Sequence, residues 1–564
     1  MTSNNVGLTG LAQQTLDRRT FLRRAALFAA GVPLIGMPPR ANADRTETIV
    51  ETASGKLRGK SSAGIHTFLG VPYGAPTSGA NRFMPPQKPE SWKGVRDALQ
   101  FGPLAPQRDP KATAATIAAS IYGPGKPFSI FRTPDVPDRE DCLVLDVYTP
   151  GVHDGVKRPV MVWLHGGGFS RGAASSPVYN GANLAKRGDV VVVGVNHRLN
   201  VFGYCYLGEL GGADFAESGN AGMLDIVQAL QWVRDNIAGF GGDPNTVMIF
   251  GESGGGAKVS TLLAMPAAKG LFHRAAIQSG PGIKMMERDD ATKISELLLQ
   301  ELGLQSTQLR ELQQLPMERL KAAYFAVIGR SPMGAPGARR SFSPVVDGKA
   351  LPRHPFHPDA PAISAEVPII VGYNRTESTF FLASDPTAPK MTAENMETRV
   401  KTLFGDDSPR VIELYRKSNP RANPYELYVL ISTDNQMGMN SIKLAERKAD
   451  LGKAPAYLYN FNWETPVAGL QSPHTLEIPF IFNNIAIAKP LVGDSPEAFA
   501  LANKVCDSWV AFARTGNPNT GALPHWPPFT LKDRDTMLFS DDSEVEKDPI
   551  RAKRLLLNEV RKSS

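Results

Sequence analysis

Six short apolar runs mark the chain, at 160–164, 190–195, 247–250, 275–278, 367–371 and 456–461. Each is too short for a helix, and several are rich in β-branched residues, which fits strands buried on both faces of a parallel sheet. Between the second and third runs, Met223, Ile226, Leu230, Val233 and Ile237 recur at helical spacing, so 223–237 predicts a helix, closed by Gly241-Gly242-Asp243-Pro244. Strands alternating with helices predict an α/β chain built on a large, mostly parallel, doubly wound sheet. In such a sheet ligands bind beyond the carboxyl ends of the strands. The stretch 290–330 is rich in Leu, Gln and Glu and predicts helices that interrupt the strand succession, inside an insertion spanning about 283–365. Segments 112–126 and 331–340, rich in small residues, Gly or Pro, predict loops where substrate shape is decided.

Two of these strand ends carry unusual chemistry. The run 247–250 opens onto Gly251-Glu252-Ser253-Gly254-Gly255 and then a helix-compatible stretch. Strand, Gly-x-Ser-x-Gly and helix are the context of a nucleophile elbow, a sharp turn that lifts a serine hydroxyl clear of the sheet. Side chains two positions either side of the serine would collide, and glycine avoids this. The run 160–164 leads directly into His165-Gly166-Gly167-Gly168-Phe169. Three consecutive glycines add nothing to packing and cost conformational entropy, but they let backbone N–H groups turn toward an anion, as an oxyanion hole requires.

Composition is that of an ordinary globular chain, 42% hydrophobic and 21% charged over 564 residues. The formal net charge of +7 is concentrated at the start: residues 1–43 hold five arginines and one acid, Asp17. The remaining 57 basic and 54 acidic residues give +3, which supplies no argument for binding nucleic acid or a membrane surface. Arg18-Arg19-Thr20-Phe21-Leu22-Arg23 matches the twin-arginine export pattern, followed by an apolar stretch at 25–37 and a small-residue site, Ala41-Asn42-Ala43. Residues 1–43 are therefore expected to be an export signal cleaved after Ala43, leaving a periplasmic or secreted protein of one domain, 44–564. The apolar stretch is too short to span a bilayer, so no stable membrane anchor is expected. The three cysteines, Cys142, Cys205 and Cys506, form no Cys-x-x-Cys pair and are expected to be small buried hydrophobes.

Beyond the elbow and glycine loop stand further ordered strings. They are Phe68-Leu69-Gly70-Val71-Pro72-Tyr73, Arg82-Phe83, Glu140-Asp141-Cys142-Leu143, Asn196-His197-Arg198-Leu199, Gly219-Asn220 through Asp225, Gln278-Ser279-Gly280, and Ala513-Arg514-Thr515-Gly516-Asn517-Pro518-Asn519. With these the chain resembles the type-B carboxylesterases, the carboxylesterase/cholinesterase branch of the α/β-hydrolases, from about residue 48 to about 529. The resemblance implies an α/β-hydrolase fold with helical insertions roofing an active-site gorge, a small-molecule ester as substrate, and no cofactor or metal. It also implies buried ion pairs Arg82–Glu140 and Arg198–Asp225 that fix loops. Many relatives bridge the Cys142 position to a cysteine in a Phe-Gly-Pro-x-Cys-Pro-Gln string. Here that string reads Phe101-Gly102-Pro103-Leu104-Ala105-Pro106-Gln107, and the partner is absent.

A serine nucleophile needs a histidine base, and the base needs a carboxylate to set its tautomer and stabilise its charged form. In α/β-hydrolases the chain order is serine, acid, histidine. His354 and His357 sit among prolines and precede the acid; His525 lies in a terminal Pro-rich stretch. His474, in the family's His-x-x-Glu string with Glu477, is the expected base. Glu377 follows the strand at 367–371 by a short turn and keeps the family's Gly-x-Asn-x-x-Glu pattern from Gly372; it is the expected acid. The catalytic set is thus Ser253, Glu377 and His474, with the N–H groups of Gly167, Gly168 and Gly254 as oxyanion hole. Relatives usually carry alanine at the Gly254 position, and glycine there is expected to loosen the elbow. Ser279 is expected to orient the acid, and Glu252 to hold a water or tune the base. An acid limb of the rate near the histidine range of about 6–7 is expected. An amidase, carbamate hydrolase or lactonase would use the same triad, and a non-catalytic binding or adhesion protein is the remote reading. Acyl and alcohol preference and oligomeric state leave no trace in the sequence.

Overall fold

The strands at the middle of the sheet send alternate side chains into two different cores. From the strand at Arg158–Leu164, residues Val160, Val162 and Leu164 enter one cluster, while Met161 and Trp163 enter another. The same division separates Val247 and Ile249 from Met248 and Phe250, and Ile369 and Val371 from Ile370. A side-chain period of two with both faces apolar demands cover on both sides, which is the reason for double winding. The computed structural model describes residues 47–109, 111–329 and 341–563. The export signal expected at 1–43 and the loop expected at 331–340 lie outside the described residues.

Among the described residues thirteen strands join in one sheet. In chain order they are β1 (Glu47–Thr52), β2 (Gly55–Ser62), β3 (Ile65–Pro72), β4 (Val95–Asp97), β5 (Val144–Thr149), β6 (Arg158–Leu164) and β7 (Val191–Val195). They continue as β8 (Gly242–Glu252), β9 (Arg274–Gln278), β10 (Ile369–Asn374), β11 (Ala456–Phe461), β12 (Asp535–Phe539) and β13 (Glu544–Lys547). The spatial order is β1-β2-β3-β5-β7-β6-β8-β9-β10-β11-β12-β13, with β4 beside β2. From β7 to β12 neighbouring strands are parallel; the outer strands pair antiparallel, except β4, which lies parallel to β2. All six expected strands are present. The outer strands were not legible as apolar runs. β4 is exposed throughout, and β5, although wholly buried, is interrupted by Asp146, whose carboxylate accepts the Gly70 N–H at 2.9 Å.

The helix expected at 223–237 is α1 (Ala221–Asn236), and the helix after the elbow is α2 (Gly254–Leu262). Inside the insertion, α3 (Arg288–Leu302) and α4 (Met317–Gly329) bury Ile294, Leu298, Leu302, Leu320 and Val327 in the same core as Val162 and Ile249. The described part from 341 to 365 forms no α-helix. The segment expected as a loop at 112–126 contains a short helix, Ala114–Ala119; its alanines favour helix strongly. On the opposite face, α5 (Pro496–Thr515) places Leu501, Val505 and Trp509 against Trp163 and Phe250. Cys142, Cys205 and Cys506 are free and buried, and burial pushes their thiols well up from the usual range. Among the described residues no helix is long and apolar enough to cross a membrane.

Candidate active site

The register of three neighbouring strand pairs brings the site together. Leu164 at the end of β6 faces Gly251 in β8, and Glu252 faces Gln278 at the end of β9. Gln278 in turn faces Gly372 in β10, two residues before that strand ends. The glycine loop, the elbow and the Glu377 turn therefore leave one edge of the sheet side by side. Ser253 has φ +57° and ψ −122°, a conformation that L residues avoid, and its N–H donates to Gln278 O at 2.8 Å. The glycines around it are forced by space. A Cβ at Gly251 would stand 2.6 Å from Leu164 O, and one at Gly255 only 1.9 Å from that same atom.

Glu377, His474 and their supports meet because two distant loops are stitched together. Ser472 N–H donates to Thr376 Oγ1 at 2.8 Å, Thr376 N–H to Ser472 O at 3.1 Å, and Asn374 Nδ2 to Pro473 O at 2.8 Å. His474 Nδ1 then bonds Glu377 Oε2, while Glu377 Oε1 accepts the Asn374 N–H at 2.7 Å. Asn374 Nδ2 also donates to Glu477 Oε2 at 2.7 Å. Ser279 does not take the orienting role expected of it: its buried Oγ has no hydrogen-bond partner, its N–H goes to Gly372 O, and it is Asn374 that holds the acid.

The far side of the imidazole meets Glu252. Nε2 lies 3.1 Å from Glu252 Oε1, but the contact is poorly aligned and neither atom has a formed hydrogen bond. Both side chains are all but inaccessible. Burial pushes the Glu252 carboxyl well up, opposed by His474 and reinforced by Glu477 and Glu377. Burial likewise lifts Glu477, to about 7, with Glu377 adding to it. For His474 burial acts downward, but the carboxylates of Glu252 and Glu377 outweigh it and raise the imidazole to about 9. The expectation of an ordinary histidine is thereby corrected, because the sequence does not show how many carboxylates crowd one ring.

Gly167 and Gly168 both have left-handed backbones, φ +86° and +64°, and no described residue accepts their N–H groups. Gly254 is the first residue of α2, where an amide N–H has no partner within the helix. Space gives the glycine here a reason of its own. A Cβ on Gly254 would stand 2.2 Å from Gly168 O and 2.4 Å from its Cα, so the glycine lets the loop lie against the helix. Lys258, which the sequence reading passed over, fastens the loop: its buried Nζ donates to His165 O at 2.9 Å and Gly168 O at 3.0 Å. Burial lowers this amine to about 7, against the pull of Glu252. The signal available was a lone charge in an otherwise uncharged 253–268. Gln107 supports the same loop, exchanging hydrogen bonds with Gly172 at 2.7 and 3.0 Å.

A cavity of about 420 Å³ opens over Ser253, His474 and Gly166 through Gly168. Its walls are Tyr122, Phe131, Tyr179, Phe380 and Phe381, with Gln107, Arg132 and Arg171. Tyr122 comes from the segment expected to shape the substrate. No described residue of the insertion lines the cavity: the stripes of α3 and α4 are committed to the core beneath. His354 pairs with Glu287 at the surface, and neither it, His357 nor His525 lines the cavity. The ion pairs implied by resemblance are formed, with Arg82 Nε on Glu140 at 2.8 Å and Arg198 Nε on Asp225 at 2.8 Å. Among the described residues no group of three or more His, Cys, Asp or Glu side chains is arranged to hold a metal ion.

A family model described as the carboxylesterase family matches residues 46–556. The chain is 34% identical to the para-nitrobenzyl esterase of Bacillus subtilis, over 90% of this chain and 98% of that protein. It is 32% identical to a phenmedipham hydrolase of Pseudarthrobacter oxydans, over 89% and 97%. Among solved structures it is similar to a carboxylesterase of Geobacillus stearothermophilus, with a TM-score of 0.77 and 37% identity over 90% of this chain and all of that one.

Proposed function

This chain belongs to the carboxylesterase family and is a carboxylic ester hydrolase, and we propose that it works through an acyl-enzyme on Ser253, His474 and Glu377. Ser253 Oγ attacks the ester carbonyl while His474 Nε2 takes its proton. Glu377 holds Nδ1–H and stabilises the imidazolium. The N–H groups of Gly167, Gly168 and Gly254 receive the developing oxyanion. His474 returns the proton to the departing alcohol, and a water repeats the sequence on the acyl-enzyme. The observation that carries this reading is the joining of His474 Nδ1 to Glu377 at the floor of the cavity that also exposes Ser253.

The test is hydrolysis of a panel of esters of varied acyl and alcohol size, with amide, carbamate and lactone analogues, by the wild type and Ser253→Ala. Turnover of the esters is expected to fall on the order of 10⁶-fold in the variant, with the fold intact. Substantial residual turnover would overturn the nucleophile assignment, and faster cleavage of the amides or carbamates would overturn the ester reading.

We also propose that the protein is exported by the twin-arginine route and begins at Asp44 once mature. The support is the Arg18-Arg19 string and the Ala41-Asn42-Ala43 site. Lys-Lys in place of the arginine pair keeps the charge and removes the guanidinium geometry, so export should fail. Equal export of both forms on cell fractionation would sink the proposal.

A further inference from the structure

Two arginines line the cavity away from the Glu252–His474 contact. Arg132 follows the short 3₁₀ turn Pro127–Phe131, and Arg171 closes the turn after the glycine loop, its N–H on Gly167 O at 3.2 Å. Backbone bonds hold both stems, Arg132 N–H donating to Ser129 O at 3.1 Å. Neither guanidinium makes an ion pair or hydrogen bond with any described residue; Arg171 only faces the Tyr122 ring, 5.9 Å from its centroid. Neighbouring cations are satisfied by contrast. Arg108 is 3.6 Å from Asp138, Lys321 is 3.0 Å from Glu318, and Lys258 is spent on two carbonyls. The one carboxylate among the lining residues, Glu252, is buried against His474, 3.1 Å from its Nε2, and forms no ion pair with either arginine. The cavity thus offers two exposed guanidinium groups that no described carboxylate pairs.

We propose that Arg132 and Arg171 form an anion subsite, and that the favoured substrates are esters bearing a carboxylate away from the scissile bond. This rests on the ester-hydrolase reading of the same cavity. A guanidinium offers a carboxylate two parallel donors, and the aromatic walls between mouth and nucleophile accommodate an apolar spacer. Monoesters of dicarboxylic acids and carboxylated aryl esters are the chemistry that fits.

The experiment compares kcat/KM for mono-p-nitrophenyl glutarate and adipate with p-nitrophenyl butyrate and hexanoate. A second arm compares butyrate esters of 4-hydroxybenzoate and 4-hydroxybenzamide, which places the charge on the alcohol side. The anionic member of at least one pair is expected to lead by about tenfold at low salt, and the lead should shrink as salt screens it. Arg132→Gln and Arg171→Gln should each lower the ratio, and the double variant should bring it to about one, while Arg→Lys should keep part of it. Equal or slower turnover of both anionic series by the wild type would overturn the subsite, as would a preference that persists in the double variant. Failure to cleave any ester would instead strike the hydrolase reading. The subsite is then still tested by calorimetry with glutarate: binding to the wild type that is lost in the double variant supports it, and no binding overturns it.

Discussion

Gly254 and Gly168 touch so closely that a single added carbon would separate them: a Cβ on Gly254 would stand 2.2 Å from Gly168 O. That contact lays the start of α2 against the glycine loop, and Lys258 Nζ holds the same carbonyl from behind at 3.0 Å. Gly254→Ala must push Gly168 away and spread the proposed oxyanion donors. Loss of one such donor costs roughly 10²–10³-fold in turnover, so a fall in kcat of about tenfold or more is expected, with KM little changed. Steady-state kinetics on a p-nitrophenyl ester check this. A variant with unchanged kcat would show that the loop does not depend on this contact.

The pH dependence follows from the ring between two carboxylates. A base must be unprotonated to accept the serine proton, so kcat/KM should rise with pH through the raised value of His474, about 9, rather than through the ordinary histidine range. Glu252→Gln removes one of the two carboxylates that do most to raise it, and should move the acid limb downward. For stability the sign is opposite. A raised imidazole contributes stability that is complete below its unfolded value of about 6.5 and is lost as pH rises toward 9. Full pH profiles of both proteins are the measurement; an unmoved limb in the variant would separate Glu252 from the base.

Arg198 and Asp225 carry the clearest structural prediction. The guanidinium and the Arg198 N–H both reach the carboxylate, at 2.6 to 3.0 Å, and both side chains are fully buried. Asp225→Asn leaves the arginine charge unpaired inside the protein. A loss of roughly 3–5 kcal/mol is expected, read as a lowered midpoint of chemical denaturation. A midpoint near that of the wild type would mean that the pair contributes little.

What the sequence determined lies where the cause is local. Apolar runs such as 160–164 can only be buried on both faces. The glycines around Ser253 answer a steric demand set by the turn itself; chain order left His474 and His525 after Glu377, and the His-x-x-Glu string chose His474. The outer strands escaped notice because a mixed run such as β5, with Asp146 inside it, looks the same as a loop until Gly70 supplies its partner.

Tertiary structure decided everything that depends on which distant groups become neighbours. Asn374 rather than Ser279 holds Glu377, because the turn after β10 is tied to the loop at 472–474. The raised imidazole of His474 sums burial with carboxylates that lie 3 to 222 residues away along the chain. Arg132 and Arg171 look like any surface arginines in the sequence, and only the folded chain places them, unpaired, in the same cavity as Ser253. Coulomb energy and desolvation act through space, and sequence spacing carries no measure of it.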